Sequence, residues 1–190
     1  MTSPFDLSTL SGEQSTTDLG IATRYIAFND TGSKFFASNG TDLREYNLST
    51  NYDITTISAL QYLANISGSE MKFSTDGTKV FVTVGALINE YHLSTAFDLS
   101  TIGTIQATKT VLATYHTGLM FSADGTSMWR NNGTKFIEYE LTTGFDLTTC
   151  SAHPINIKNT GTKAIADYSF NDDGTRIIGF YETYAQQFDL

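Results

Sequence analysis

The stretch Phe73-Ser74-Thr75-Asp76-Gly77-Thr78-Lys79-Val80-Phe81-Val82, followed by Asn89-Glu90-Tyr91-His92-Leu93-Ser94-Thr95-Ala96-Phe97-Asp98-Leu99-Ser100-Thr101, decides the architecture because it recurs along the chain. An aromatic residue followed four residues later by a turn glycine occurs as Phe28/Gly32, Phe73/Gly77, Phe121/Gly125 and Phe170/Gly174. Thirteen residues after each glycine stand Glu45-Tyr46, Glu90-Tyr91, Glu138-Tyr139 and the degenerate Gln187-Phe188. Seven residues further lie Tyr52-Asp53-Ile54, Phe97-Asp98-Leu99 and Phe145-Asp146-Leu147. These intervals never change, so all length variation falls in the connection to the next unit. A fixed period of this length marks a repeat architecture.

Each unit reads as β. Short apolar runs are punctuated by Asp-Gly or Thr-Gly and then by Asn-Gly, and no helical period of useful length occurs. Four strands are expected per unit, here called A to D. Strand A ends in the first aromatic, as in Gly118-Leu119-Met120-Phe121, and the turn glycine supplies the positive φ of a tight hairpin. Strand B follows (Lys79 to Val84), then a hairpin at Asn39-Gly40, Gly85 or Asn132-Gly133, then strand C with its Glu-Tyr-x-Leu element. The Phe-Asp-Leu element is expected to open strand D. Strand B carries adjacent apolar residues (Phe35-Phe36, Val80-Phe81, Met128-Trp129, Ile177-Ile178), so both faces of its sheet must be covered. Stacked four-stranded sheets with a period near 45 residues predict an all-β fold, a β-propeller of four antiparallel blades.

The repeat units span about 18–66, 67–112, 113–160 and 161–190, the last completed by 1–17, in one domain over 1–190. Phe5-Asp6-Leu7-Ser8-Thr9 matches Phe97-Asp98-Leu99-Ser100-Thr101, and Leu190 falls on the column of Leu48, Leu93 and Leu141. The ring is therefore expected to close by an N-terminal strand, about residues 4 to 17, that completes the last blade. One chain closing alone is favoured because intramolecular closure avoids the concentration cost of association. A homodimer exchanging N-terminal strands into an eight-bladed ring is the alternative.

Composition narrows the partners. The 190 residues carry 20 acidic and 11 basic side chains, a formal charge of −9, which argues against nucleic acid as a partner. With 16% charged and 40% hydrophobic residues the chain can bury a core. No stretch approaches the roughly 20 apolar residues that span a bilayer, so membrane insertion is not expected. The start (Met1-Thr2-Ser3-Pro4-Phe5-Asp6) lacks the features of a signal peptide. A single cysteine, Cys150, excludes an intramolecular disulfide, and three scattered histidines leave no structural zinc set.

The run Asp-Gly-Thr-Lys at 76–79 and the run Asn-Glu-Tyr-x-Leu-Ser-Thr-x-Phe-Asp-Leu-Ser-Thr at 89–101 resemble the β-propeller repeats of many bacteriophage and environmental bacterial proteins. The match covers nearly the whole chain. It departs at Gln187-Phe188, at Glu182 in place of the hairpin glycine, and at Thr126-Ser127 in place of Thr-Lys. The resemblance implies a non-enzymatic structural or recognition component of a phage-like virion, in the tail, a fibre or the capsid exterior. Localisation in the virion after synthesis in the host cytoplasm goes with it. The implied partners are other virion proteins or a host surface glycan. A cytosolic bacterial interaction scaffold is the alternative reading, and a carbohydrate-active enzyme a more distant one.

Candidate chemistry is weighed against structural roles. Asp6, Asp53, Asp98 and Asp146 head the outermost strand and read as turn caps. Glu45, Glu90 and Glu138, one per blade at fixed phase, read as packing or inter-blade hydrogen-bond residues. Strand A is expected to line the axis, with Tyr25, Glu70, Gly118 and Asp167 in one column, where acid recurs only at Glu70 and Asp167, so four equivalent ligands for an axial ion are not expected. No catalytic residue, cofactor or metal is expected. His92, His116 and His153 have no partner at ligand or triad spacing, and Cys150 reads as a small hydrophobe. The sequence has no Gly-x-Ser-x-Gly elbow and no phosphate-cradling glycine loop. The candidate ligand-binding residues are Trp129, Arg130 and Asn132 at the end of strand B and beyond it, with Tyr181, Glu182 and Tyr184, where two aromatics flank an acid in the last hairpin. Aromatic planes beside amide and carboxylate groups suit sugars. The B-to-C and D-to-A connections are expected on one face, where such a ligand would bind.

Overall fold

Each repeat becomes one antiparallel sheet in the computed structural model, which describes residues 17–112, 117–159, 167–170, 176–181 and 184–189. The first sheet comprises β1 (Tyr25–Phe28), β2 (Lys34–Ser38), β3 (Leu43–Leu48) and β4 (Ile57–Ala64). The second comprises β5 (Glu70–Phe73), β6 (Lys79–Val84), β7 (Leu87–Leu93) and β8 (Ile102–Thr110). The third contains β9 (Thr117–Phe121), β10 (Ser127–Asn131), β11 (Lys135–Glu140) and β12 (Asn156–Asn159). The fourth shows β13 (Asp167–Phe170), β14 (Arg176–Tyr181) and β15 (Tyr184–Asp189) among the described residues. In every sheet, order in space follows order in the chain. β1 packs against β5, β5 against β9 and β9 against β13, so the first strands stand side by side and the sheets stack as blades. The fold is all-β, the β-propeller arrangement of four antiparallel blades that the repeat predicts. The expected closing strand lies outside the described residues except for Thr17, whose hydroxyl donates to the Ile54 carbonyl at 2.9 Å.

The invariant spacing has a physical cause. Gly32, Gly77 and Gly125 turn strand A into strand B with φ near +70°. Each glycine carbonyl then accepts the amide of the second aromatic: Tyr52 to Gly32 and Phe97 to Gly77 at 2.9 Å, Phe145 to Gly125 at 3.0 Å. The ring of that aromatic lies directly on the glycine. A Cβ at Gly77 would stand 2.2 Å from the Phe97 ring. Tyr52, Phe97 and Phe145 themselves adopt positive φ (60°, 54° and 57°), unusual for aromatic residues, and the stacked ring with its hydrogen bond holds them there.

The Phe-Asp-Leu element does not open strand D directly. A 3-10 turn comes first, at Ile54–Thr56, Leu99–Thr101 and Leu147–Thr149. The preceding Asp53, Asp98 and Asp146 cap it, each carboxylate accepting the amide two residues on at 2.9–3.0 Å. These aspartates are therefore turn caps.

Adjacent apolar residues of strand B point to opposite neighbours. Phe36, Met71, Val80 and Val82 share the core between the first and second blades. Phe81, Leu119, Met128 and Tyr139 share the next, and Phe136, Tyr168 and Ile177 the last, with Trp129 packed against them. Each such aromatic or aliphatic side chain contributes about 1.5–3 kcal/mol on burial.

Candidate functional site

The repeated charges join blade to blade. Glu45 of β3 accepts Lys34 Nζ at 2.6 Å on one oxygen and the Leu99 amide of the next blade at 2.7 Å on the other. Lys34 Nζ also donates to the Phe97 carbonyl at 2.7 Å. One blade on, Glu90 meets Lys79 Nζ at 2.8 Å and the Leu147 amide at 2.8 Å, while Lys79 Nζ donates to the Phe145 carbonyl at 2.6 Å. Both carboxylates are buried, and two or more donors satisfy each of them, as buried charge requires. The third blade departs: Ser127 stands where Lys34 and Lys79 do, and Glu138 accepts Asn156 Nδ2 of its own blade at 2.8 Å. The lysines of this latch escaped the sequence reading. Their signal was present, since Lys34, Lys79 and Ser127 all stand two residues after the turn glycine.

The candidate binding residues are placed apart. Trp129 on β10 is half-buried, with its ring 4.6 Å from that of Phe170 in the boundary between the third and fourth blades. Arg130, its neighbour on the strand, points the opposite way and is fully buried between the second and third blades. Its Nη1 lies 3.2 Å from Glu70 Oε2, and the other Glu70 oxygen accepts the Leu119 amide at 2.5 Å. Arg130 Nε and Nη2 have no protein partner among the described residues. Glu70, expected at the axis, is thus turned into a blade boundary. Asn132 sits in the β10–β11 turn, where its side chain accepts the Thr134 amide at 3.3 Å. Tyr181 and Tyr184 form the last backbone pair of the β14–β15 hairpin. Their side chains, and Glu182 entirely, lie outside the described residues, as do His116, Asp6, Leu7 and the Asp167 side chain.

The B-to-C turns and D-to-A connections do share a face. Gly40 of the first B-to-C turn bridges Gly68 of the following connection, and the Ser38 hydroxyl donates to the Gly68 carbonyl at 3.0 Å. In the second blade the Val111 amide donates to the Ala86 carbonyl at 2.9 Å. At the other end of the strands, a shallow cleft of about 200 Å³ lies between Lys72, Phe73, Met120, Phe121 and Phe145.

The remaining titratable groups read as structural. His92 Nε2 lies 2.7 Å from Glu90, and the exposed His153 contributes its carbonyl to the Ser151 hydroxyl. Cys150 is partly buried and packs against the core between the second and third blades, and this burial pushes its thiol up, against the pull of Lys109. The Ser122 hydroxyl, helped by Thr126, holds Asp124 down at about 2. Among the described residues no three His, Cys, Asp or Glu side chains group as metal ligands, and no helix is long and apolar enough to cross a membrane.

No protein-family model matches the chain, and no curated protein matches it in sequence. Solved structures do match it. A protein from Lactobacillus plantarum superposes with a TM-score of 0.64 at 14% identity, over 88% of this chain and 50% of that one. The periplasmic gluconolactonase PpgL of Pseudomonas aeruginosa gives 0.62 at 11% identity, over 88% and 49%. The β-propeller domain of Myceliophteria thermophila Cps50 (Swd1) gives 0.58 at 12% identity, over 88% and 53%. At such identities the likeness is one of fold alone. The chain spans about half the length of the solved structures it matches.

Proposed function

We propose that this chain is a non-enzymatic structural and recognition module of a phage-like particle, in the tail, a fibre or the capsid exterior. Its ligand is a host surface glycan, bound on the face that carries the B-to-C turns and D-to-A connections. One observation carries the non-enzymatic part. Of the described acidic side chains that recur at fixed phase, Glu45, Glu90, Asp53, Asp98 and Asp146 are engaged in blade latches and turn caps, and Glu138 is bonded to Asn156 within its own blade. What varies between blades is the loop face, and loops on a rigid scaffold are where recognition resides. The β14–β15 hairpin supports a sugar ligand, because it replaces a glycine turn with Tyr181 and Tyr184 at its tip.

The test is retention of the protein on polysaccharide prepared from the host surface. Tyr181→Ala and Tyr184→Ala should abolish retention with the melting temperature unchanged, and unchanged retention dismisses the hairpin as the site. Mass spectrometry of purified particles should find the chain at stoichiometric copy number. Absence from particles favours the cytosolic scaffold, and release of products from oligosaccharides or sugar lactones favours an enzyme.

A further inference from the structure

The blade boundaries inside the chain define what the two terminal faces of the array need. At each boundary an inner-strand residue of one blade meets a strand B residue of the blade before it. Met71 shares a core with Phe36, and Leu119 shares one with Phe81. Strand register extends both columns. Ile26 opposite Ala37 corresponds to Met71 opposite Val82 and Leu119 opposite Arg130. Ile178 between Ser169 and Gln187 corresponds to Phe36 between Ala27 and Glu45. Inside the chain the column members Met71, Leu119, Phe36 and Phe81 are fully buried, Tyr168 is buried and Trp129 half-buried, whereas Ile26 is 54% exposed and Ile178 40% exposed. The rest of the first face (Phe35, Ala37, Tyr46 and Leu48) is buried, with Leu19 and Ile21 packed on it, which leaves its inner edge bare.

We infer that these two faces close on a second copy of the chain, so that two chains build one eight-bladed ring. If the chain closed on itself, Ile26 would lie against Ile178 as Met71 lies against Phe36, and both would be buried. Instead, each copy offers the face its neighbour lacks, in a head-to-tail contact that repeats the three boundaries already present. The four blades superpose on about half of a larger β-propeller domain. Two copies related by a two-fold axis along the ring would meet at two equivalent interfaces. Gln187, exposed in the column of Glu45 and Glu90, is then set to meet the partner at the position where Leu99 and Leu147 meet those glutamates. Closure removes two bare apolar edges that an open array would expose.

Sedimentation equilibrium of the 190-residue chain at micromolar concentration tests this. The expected species has twice the 20.8 kDa chain mass. Ile26→Asp and Ile178→Asp should each halve that mass with the circular dichroism spectrum unchanged. Ile105→Asp, at an equally exposed isoleucine on the outer strand β8, should leave it intact. The pairing is read directly by Ile26→Cys combined with Ile178→Cys in a Cys150→Ser background. Oxidation should give a covalent two-chain product. A single-chain native mass, a bond formed within one chain, no bond at all, or assemblies larger than two chains would each overturn the inference.

Discussion

The Leu147 amide donates to Glu90 Oε2 at 2.8 Å across the boundary between the second and third blades, 57 residues apart in sequence. Its counterpart one blade earlier is the Leu99 amide on Glu45 Oε2 at 2.7 Å. These two bonds, with the lysines behind them, convert a sequence period into a stack of blades.

Removing one carboxylate strands a buried amide and a lysine whose stem is packed. Glu90→Met should cost about 2–4 kcal/mol in urea unfolding, and Glu45→Met about the same. Glu138→Met, which gives up a single bond to an exposed asparagine, should cost no more than about 0.5 kcal/mol. Equal losses at all three positions would refute the latch.

Gly77 and Gly85 separate steric from conformational cost. Both have positive φ, +69° and +58°, but a Cβ at Gly77 meets the Phe97 ring at 2.2 Å while nothing lies within 4 Å of Gly85. Gly85→Ala should lower stability by about 1 kcal/mol, and Gly77→Ala by clearly more, because the ring must also leave its place. Thermal unfolding of the two variants side by side gives the comparison.

The turn aspartates make stability depend on acid. Hydroxyls of Ser122, Ser74, Thr55, Ser100 and Thr148 hold Asp124, Asp76, Asp53, Asp98 and Asp146 below the ordinary aspartate value of 3.8, Asp124 at about 2. A carboxylate depressed in the folded state stabilises the fold fully above its unfolded value and loses that contribution as pH falls through its folded value. Unfolding free energy should therefore decline from about pH 4 toward pH 2. Asp124→Asn should make that decline shallower, and an unchanged pH profile in the variant would contradict the assignment.

The buried Arg130–Glu70 pair predicts strong non-additivity. Glu70→Ala leaves a fully buried guanidinium without its anion and should cost about 3–5 kcal/mol. Arg130→Met combined with Glu70→Gln should cost less than the two single changes summed, since neither partner is then stranded with charge. A double-mutant cycle measures the difference, and additive losses would show that the pair is not coupled.

Much of this was legible in the chain. Glycine, glutamate and aromatic positions stand at fixed intervals because a single hydrogen bond, as from Phe97 to Gly77, ties two of them, and a third bridges to the next blade. Strand A, the hairpin glycines, the aspartate caps and the two-faced strand B all follow from those positions. Arg130 reads as a surface residue because it breaks an apolar run, but period-two alternation puts it in the column of Ala37 and Val82, facing the second blade. Its counter-ion is 60 residues away on β5, in a column whose first and third members are Tyr25 and Gly118, so no local pattern announces the pair. The 3-10 turn before strand D was hidden for a related reason: a capping aspartate serves a turn or a strand end equally well.

Amide hydrogen exchange at Leu99 and Leu147 tests the central claim most directly, because it reads each blade-to-blade latch by itself. Both amides should exchange far more slowly than the exposed turn amides of the same protein. Glu45→Met should speed Leu99 alone and Glu90→Met should speed Leu147 alone. Exchange at turn-like rates in the unmodified protein, or acceleration of both amides by either substitution, would contradict the account.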